Sequence, residues 1–266
     1  MGTLFDIEAY GPGADGAISE AFAETARLDR ALSLYKPDSE VSRLNRAGGE
    51  WFSCGDALWE AVDASLRYGK ASGGAFDATI LPVLKDGPAA LAKVGWGKVR
   101  TDPATRRVQL PPGGMMDFGG IGKGIALDHA AHILRLRGIN SARLNFGGQL
   151  YLLGAPPDAP AWTVRVDGAP ETFLLKDASI STSGNAEHPG HIASPFTGQR
   201  IWGAYSAVVV APSATEADAW STAAFVLGPD APKPYGGCWL IEGARPSASP
   251  ACAPLLAPPT AKGNRS

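Results

Sequence analysis

Residues 117–153, from Asp117 to Leu153, read DFGGIGKGIALDHAAHILRLRGINSARLNFGGQLYLL, and the hydrophobic period changes part-way along. The stretch opens with a Gly-rich loop, Asp117 to Gly124. The loop feeds a helix predicted over about Ile125–Arg137 and closed by Gly138. Two strand-like runs follow, 142–146 and 149–153, with Asn145-Phe146-Gly147-Gly148 between them. Upstream, residues 3–10 alternate in period 2 and stop at Gly11-Pro12-Gly13, which predicts a strand and a turn. Ile18, Phe22, Ala26, Leu28 and Leu32 recur at helical spacing and predict a helix from about Gly16 to Ser33. A polar loop, 35–40, separates it from a helix over roughly Asp56–Ala71, which Ser72-Gly73-Gly74 stops.

Downstream, short strands are predicted at 108–110, 162–166, 173–175, 179–182, 204–211 and 237–241. Ser213 and Glu216 have capping-box spacing, so a helix should begin at Ala214 and carry Asp218 and Thr222. Helices and strands interleave without a strict βαβ rhythm. That favours an α+β fold over a doubly wound parallel sheet. The expected organisation is one domain over 1–245, then a Pro/Ala-rich tail, 246–266, that reads as disordered.

Composition narrows the function classes. The 266 residues are 45% hydrophobic and 19% charged, which is a globular balance. The formal net charge of −2 gives no bulk electrostatic reason to bind nucleic acid or an anionic membrane. Seven tryptophans are spread along the chain and not clustered as a base-stacking platform. Three cysteines, Cys54, Cys238 and Cys252, form no CxxC pair. With four histidines they predict neither a zinc framework nor a disulfide scaffold. No run of 18 apolar residues predicts a membrane span. The first residues lack the basic and apolar regions of an export signal, so a cytoplasmic location is expected as written, and a periplasmic one if a leader was removed.

Several segments bear chemistry. Glycines ahead of a helix let backbone N–H groups face a phosphate, and Lys123 adds a cation. The loop is neither a Walker A loop nor GxGxxG, so a tight turn with a surface lysine is the competing reading. Asp218 and Thr222 share one helical face and offer hard oxygen donors suited to Mg²⁺; a solvated helix face is the competing reading. Residues 183–191 place His188 and His191 in a turn-rich loop, where His188 reads as a surface residue. Ala75-Phe76-Asp77 reads either as a substrate loop or as a buried aromatic beside a capping Asp. There is no GxSxG elbow and no HExxH.

In this order the segments resemble the ApbE-like flavin transferase family. The resemblance runs from about Met1 to Gly228. It rests on Met1-Gly2-Thr3, Ser33 to Tyr35 with Ser39 to Asn45, Gly74 to Thr79, Asp117 to Gly124 with Asp128, Asn145 to Gly148, Ser181 to Gly184, His191 to Gly198 and Asp218 to Thr222. It implies a T-fold-like α+β domain with mixed or antiparallel sheets. It also implies a reaction: FAD is cleaved with Mg²⁺, FMN passes to a Ser or Thr of an acceptor protein as a phosphoester, and AMP leaves. By the same resemblance, Asp218, Thr222 and the Gly120 carbonyl would hold Mg²⁺. Asp117, Lys123, Met1, Tyr35, Ala75, Phe76, Asp77 and Ile192 would contact FAD, and His191 would sit at the reacting phosphate. FAD hydrolysis to FMN and AMP, or FAD binding without catalysis, are the alternatives. Two departures bear on catalytic efficiency and acceptor choice. Ser194 stands where the family's H-x-x-D-P motif has Asp, and Ser183-Gly184-Asn185-Ala186 replaces an SGDY-like motif.

Overall fold

The alternating run near the N-terminus forms strand β1 (Phe5–Tyr10), and helix α1 (Ala14–Leu32) buries Ala17, Ala21, Thr25, Leu28 and Leu32 along one stripe. A computed structural model of the chain describes residues 3–166, 172–186, 189–244 and 246–257. Helix α2 (Glu40–Arg46) follows, then β2 (Phe52–Ser53) and α3 (Asp56–Ala71). Next come α4 (Leu81–Asp86), β3 (Arg100–Asp102) and β4 (Arg107–Gln109). Helix α5 (Gly122–Leu136) precedes β5 (Ser141–Phe146), β6 (Gln149–Leu153), β7 (Trp162–Arg165) and β8 (Thr172–Leu175). The chain continues through β9 (Ala178–Gly184), β10 (Ser206–Ala211), α6 (Ala214–Leu227), β11 (Cys238–Glu242) and β12 (Ser247–Ala248).

The main sheet runs β1-β5-β6-β9-β10-β11-β12, and every neighbouring pair is antiparallel. Strands β6 and β10 are buried on both faces, their successive side chains entering two different cores. Tyr151, Leu153 and Val209 enter the larger core with α1, α3, α5 and α6. Leu150, Leu152, Val208 and Val210 face the other way and pack with Trp162, Val164, Phe173 and Leu175 of the β7–β8 hairpin. The expected α+β class therefore holds, with antiparallel pairing throughout the sheet. A separate small sheet, β2-β4-β3, lies just ahead of the Gly-rich loop.

One expectation is corrected, and one helix is added. The polar loop stands over 35–39, and α2, which was not predicted, follows it; Ser39 caps its first turn by accepting from the Ser42 N–H at 3.1 Å. The Pro/Ala-rich tail is ordered over Ser247–Leu256. It adds β12 and a 3₁₀ helix, Pro250–Leu255, and the backbone of Ser249 and Ala257 bonds Trp239 and Thr172. The physical reason is a disulfide between buried Cys238 and Cys252, which ties the tail to β11. Residues 258–266 of the expected tail lie outside the described residues.

Candidate active site

Helices α5 and α6 cap one another. Gly122, Lys123 and Gly124 form the first turn of α5, where N–H groups lack partners within the helix. Asp218, one turn into α6, accepts the Gly124 N–H at 3.1 Å. In return Asp128 of α5 accepts from the Ala214 and Thr215 N–H groups at 2.7 and 2.9 Å and from the Thr215 hydroxyl at 2.6 Å. Each carboxylate sits at the positive end of the neighbouring helix, where negative charge is favoured. Gly124 permits the approach: a Cβ there would stand 2.4 Å from the Ala214 carbonyl oxygen.

Asp218 is thus 3% exposed, and its expected competing reading as a solvated helix residue is overturned. The cause is α6 itself, which is buried on most of its circumference between the sheet and α5. Burial pushes the Asp218 carboxyl above its ordinary range, and the charge of Asp128 adds to this; Lys123 and the Gly124 N–H oppose it. Lys123 Nζ lies 3.9 Å from Asp218 Oδ1. One N–H and one distant ammonium leave coordination capacity on a buried carboxylate.

Next to it runs a line of hydroxyls. Ser183 Oγ lies 2.9 Å from Ser221 Oγ and 3.4 Å from Thr222 Oγ1, and Ser221 donates to Ser181 Oγ at 3.2 Å. A Cβ on Gly120 would meet Thr222 Oγ1 at 2.9 Å and Phe76 at 3.4 Å. The Gly-rich loop therefore rests directly on Thr222. Carboxylate, hydroxyl and loop backbone are all hard oxygen donors, a set that fits Mg²⁺ and not a soft metal.

Asp117 closes the loop from the other side. Its N–H bonds the Ala78 carbonyl at 2.7 Å, and its Oδ1 accepts from Gly119 N–H at 2.8 Å. Burial again pushes its carboxyl up, while the Gly119 N–H and the nearby charges of Lys123 and His191 pull it down. His191, on the loop after β9, lies near enough for its charge to act on Asp117. Direct contacts bring Gly120, Lys123, Asp218 and Thr222 together, with Asp117 on the same loop.

A family model described as the ApbE family matches residues 1–236. The chain belongs to the ApbE family. It is 29% identical over 277 residues to the FAD:protein FMN transferase of Klebsiella pneumoniae (strain 342), covering 86% of this chain and 77% of that protein. It is 28% identical over 278 residues to the FAD:protein FMN transferase of Treponema pallidum (strain Nichols), with the same two coverages, 86% and 77%. Among solved structures, it resembles the apo form of the Pseudomonas stutzeri flavinyl transferase ApbE with a TM-score of 0.85 and 26% identity, over 96% of this chain and 94% of that one.

The other residues singled out in this ApbE chain fall into distinct places. Phe76 and Ala75 are buried, Phe76 beside Gly120. The Asp77 carboxylate is the capping group: Oδ1 accepts from the Thr79 N–H and hydroxyl at 2.8 and 2.6 Å, and Oδ2 from the Trp96 N–H at 2.9 Å. Tyr35 stands 87% exposed on the turn after α1, not packed against the cluster. Ile192 packs on Ala207, Ala224, Phe225 and Ile241 beneath the loop. Ser194, in the place of the family's Asp, accepts the Phe196 N–H at 3.3 Å and turns the loop. Met1 and His188 lie outside the described residues.

Asn45 was not singled out for a role, although its segment was. Its amide donates to the Met116 carbonyl at 2.8 Å and accepts the Met116 N–H at 2.7 Å, fixing the residue before Asp117. A side-chain amide reproduces a strand-like pair of backbone bonds, which no local sequence period signals. Cys54 is no candidate nucleophile, because burial pushes its thiol up to about 12.

Proposed function

We propose that this protein is a Mg²⁺-dependent FAD:protein FMN transferase. The observation that carries the reading is the convergence of the Gly-rich loop, at the start of α5, with Asp218 and Thr222 of α6. The N–H groups at the helix start and Lys123 suit a pyrophosphate. Asp218, Thr222 and the Gly120 carbonyl would hold Mg²⁺, which when bound neutralises charge on the phosphates. Asp117, Phe76, Ala75, Met1 and Ile192 would contact FAD, Tyr35 would reach it from its exposed turn, and Asp77 would brace the segment that carries Phe76.

The reacting group is a Ser or Thr hydroxyl of an acceptor protein. His191 takes its proton. The hydroxyl oxygen bonds the FMN phosphorus, the bond from that phosphorus to the bridging oxygen breaks, and AMP departs with the bridging oxygen. Incubation with FAD and Mg²⁺, with AMP as readout, tests cleavage. In-gel flavin fluorescence of a co-expressed acceptor tests transfer. AMP release with no labelled protein would favour water as acceptor, and no AMP release would leave a binding protein only.

The Cys238–Cys252 disulfide supports work in an oxidising compartment such as the periplasm. Thiol counting on protein recovered from each compartment tests this: a reduced pair in fully active protein would overturn it.

A further inference from the structure

The segment carrying His191 is held by the side-chain amide of Asn185 and by Arg200. Strands β9 and β10 part after the Gly184–Ser206 pair, and Asn185 is the first residue beyond it. The loop folds back on itself as a short ribbon: Ile201 N–H bonds the Ile192 carbonyl at 2.9 Å, Ser194 N–H bonds the Gln199 carbonyl at 2.9 Å, and Ala193 bridges Arg200. Asn185 fastens both legs of this ribbon. Its Nδ2 donates to the carbonyls of Ile201 at 2.9 Å and Gly203 at 3.1 Å, and its Oδ1 accepts the Gly190 N–H at 3.0 Å.

Gly190, immediately before His191, is gripped from two more sides. Its φ of +71° favours glycine, and a Cβ there would stand 2.4 Å from a ring atom of Trp202. Arg200 donates to the Gly190 carbonyl from one nitrogen and to the Leu84 carbonyl, at 2.8 Å, from another. With its N–H on Asn185 and its carbonyl on Arg200, the peptide before His191 has little freedom.

We infer that Asn185 is a positioning residue for His191. The inference rests on the role of His191 in the proposed reaction. The chemistry needs an amide: only a group with both donor and acceptor satisfies two carbonyls and one N–H. A carboxylate at this position would accept from Gly190 but face two carbonyl oxygens with no proton to offer. The amide thus accounts for Asn at a position where the family's SGDY-like motif has Asp.

The test is a double-mutant cycle read by AMP release from FAD at saturating Mg²⁺, with FAD affinity measured by flavin fluorescence. Asn185→Ala is expected to lower kcat by about a hundredfold, the cost of misplacing a reacting group by an ångström or so. FAD affinity stays unchanged. In the His191→Ala background, Asn185→Ala costs nothing further, whereas independent contributions would add. Asn185→Asp keeps the bond from Gly190, loses both donations, and serves the same comparison if the alanine variant fails to fold. Full turnover in His191→Ala would overturn the role of His191 and this inference with it. An inactive His191→Ala alongside a fully active Asn185→Ala, or additive losses, would overturn the inference alone.

Discussion

Substituting Gly124 by Ala tests whether contact between α5 and α6 builds the site. The new Cβ would lie 2.4 Å from the Ala214 carbonyl oxygen and 2.7 Å from both the Ala214 carbonyl carbon and Thr215 Cα. All three are backbone atoms of α6, so no rotamer change relieves the overlap. Ordinary contact begins near about 3.5 Å, so the helices must separate by roughly 1 Å. The Gly124 N–H to Asp218 bond, 3.1 Å in the wild type, cannot survive that shift. Overpacking costs about 1–3 kcal/mol, and the better helix propensity of Ala returns up to about 1 kcal/mol. A net loss of about 1–2 kcal/mol lowers Tm by roughly 2–8 °C in a chain of this size. Turnover should fall by about a hundredfold, because Asp218 and Lys123 no longer meet the loop as built. Gly16 in α1 is the control: a Cβ there meets nothing within 4 Å, so Gly16→Ala should be neutral or stabilising by up to about 1 kcal/mol. Thermal melts and AMP release measure both variants. An unchanged Tm with wild-type turnover in Gly124→Ala would refute the reasoning.

Three further outcomes are expected. Asp218→Asn keeps an acceptor for the Gly124 N–H but removes the charge, so FAD turnover should fall by orders of magnitude with a near-native melt; wild-type AMP release at limiting Mg²⁺ would remove Asp218 from the metal site. Cys252→Ser should lower unfolding free energy by about 3 kcal/mol, the chain-entropy value for a loop of 14-residue separation, and urea titration in the presence and absence of reductant checks it. His129 bridges Glu60 at 2.8 Å and Glu24 at 2.9 Å, and the Glu60 and Glu24 bonds raise its pKa above the ordinary 6.5 against an opposing burial effect. Its stabilising contribution is therefore complete below pH 6.5 and is lost as pH rises through the raised value; a Tm–pH profile whose alkaline slope is unchanged in His129→Gln would contradict this.

How much of this was legible depended on the range over which each signal acts. Helix α3 and strand β6 match their predicted limits, because period and glycine stops are local. The start of α6 at Ala214 was legible from Ser213 and Glu216, and Ser213 Oγ does accept the Glu216 N–H at 3.1 Å. Helix α2 escaped because seven residues hold too few turns for a period, leaving only the Ser39 cap as a signal. The tail escaped because its composition argues for disorder while one covalent link, between cysteines 14 residues apart, overrides composition.

The site divides along the same line. Its residue types were legible as motifs, but their joint meaning lies in pairings between distant segments: Gly124 with Asp218 is 94 residues apart, and Asn45 with Met116 is 71. The burial of Asp218 had a trace that went unused. In the α6 sequence Ala217-Asp218-Ala219-Trp220-Ser221-Thr222-Ala223-Ala224-Phe225 the polar residues Asp218, Ser221 and Thr222 form only a narrow stripe among Ala, Trp and Phe, so the acid on it is carried into the interior. A carboxylate buried on a largely apolar helix needs a partner supplied by another element. Here the partner is the open first turn of α5, which a glycine brings within hydrogen-bonding distance, so the residue that resolves the burial also defines where the site forms.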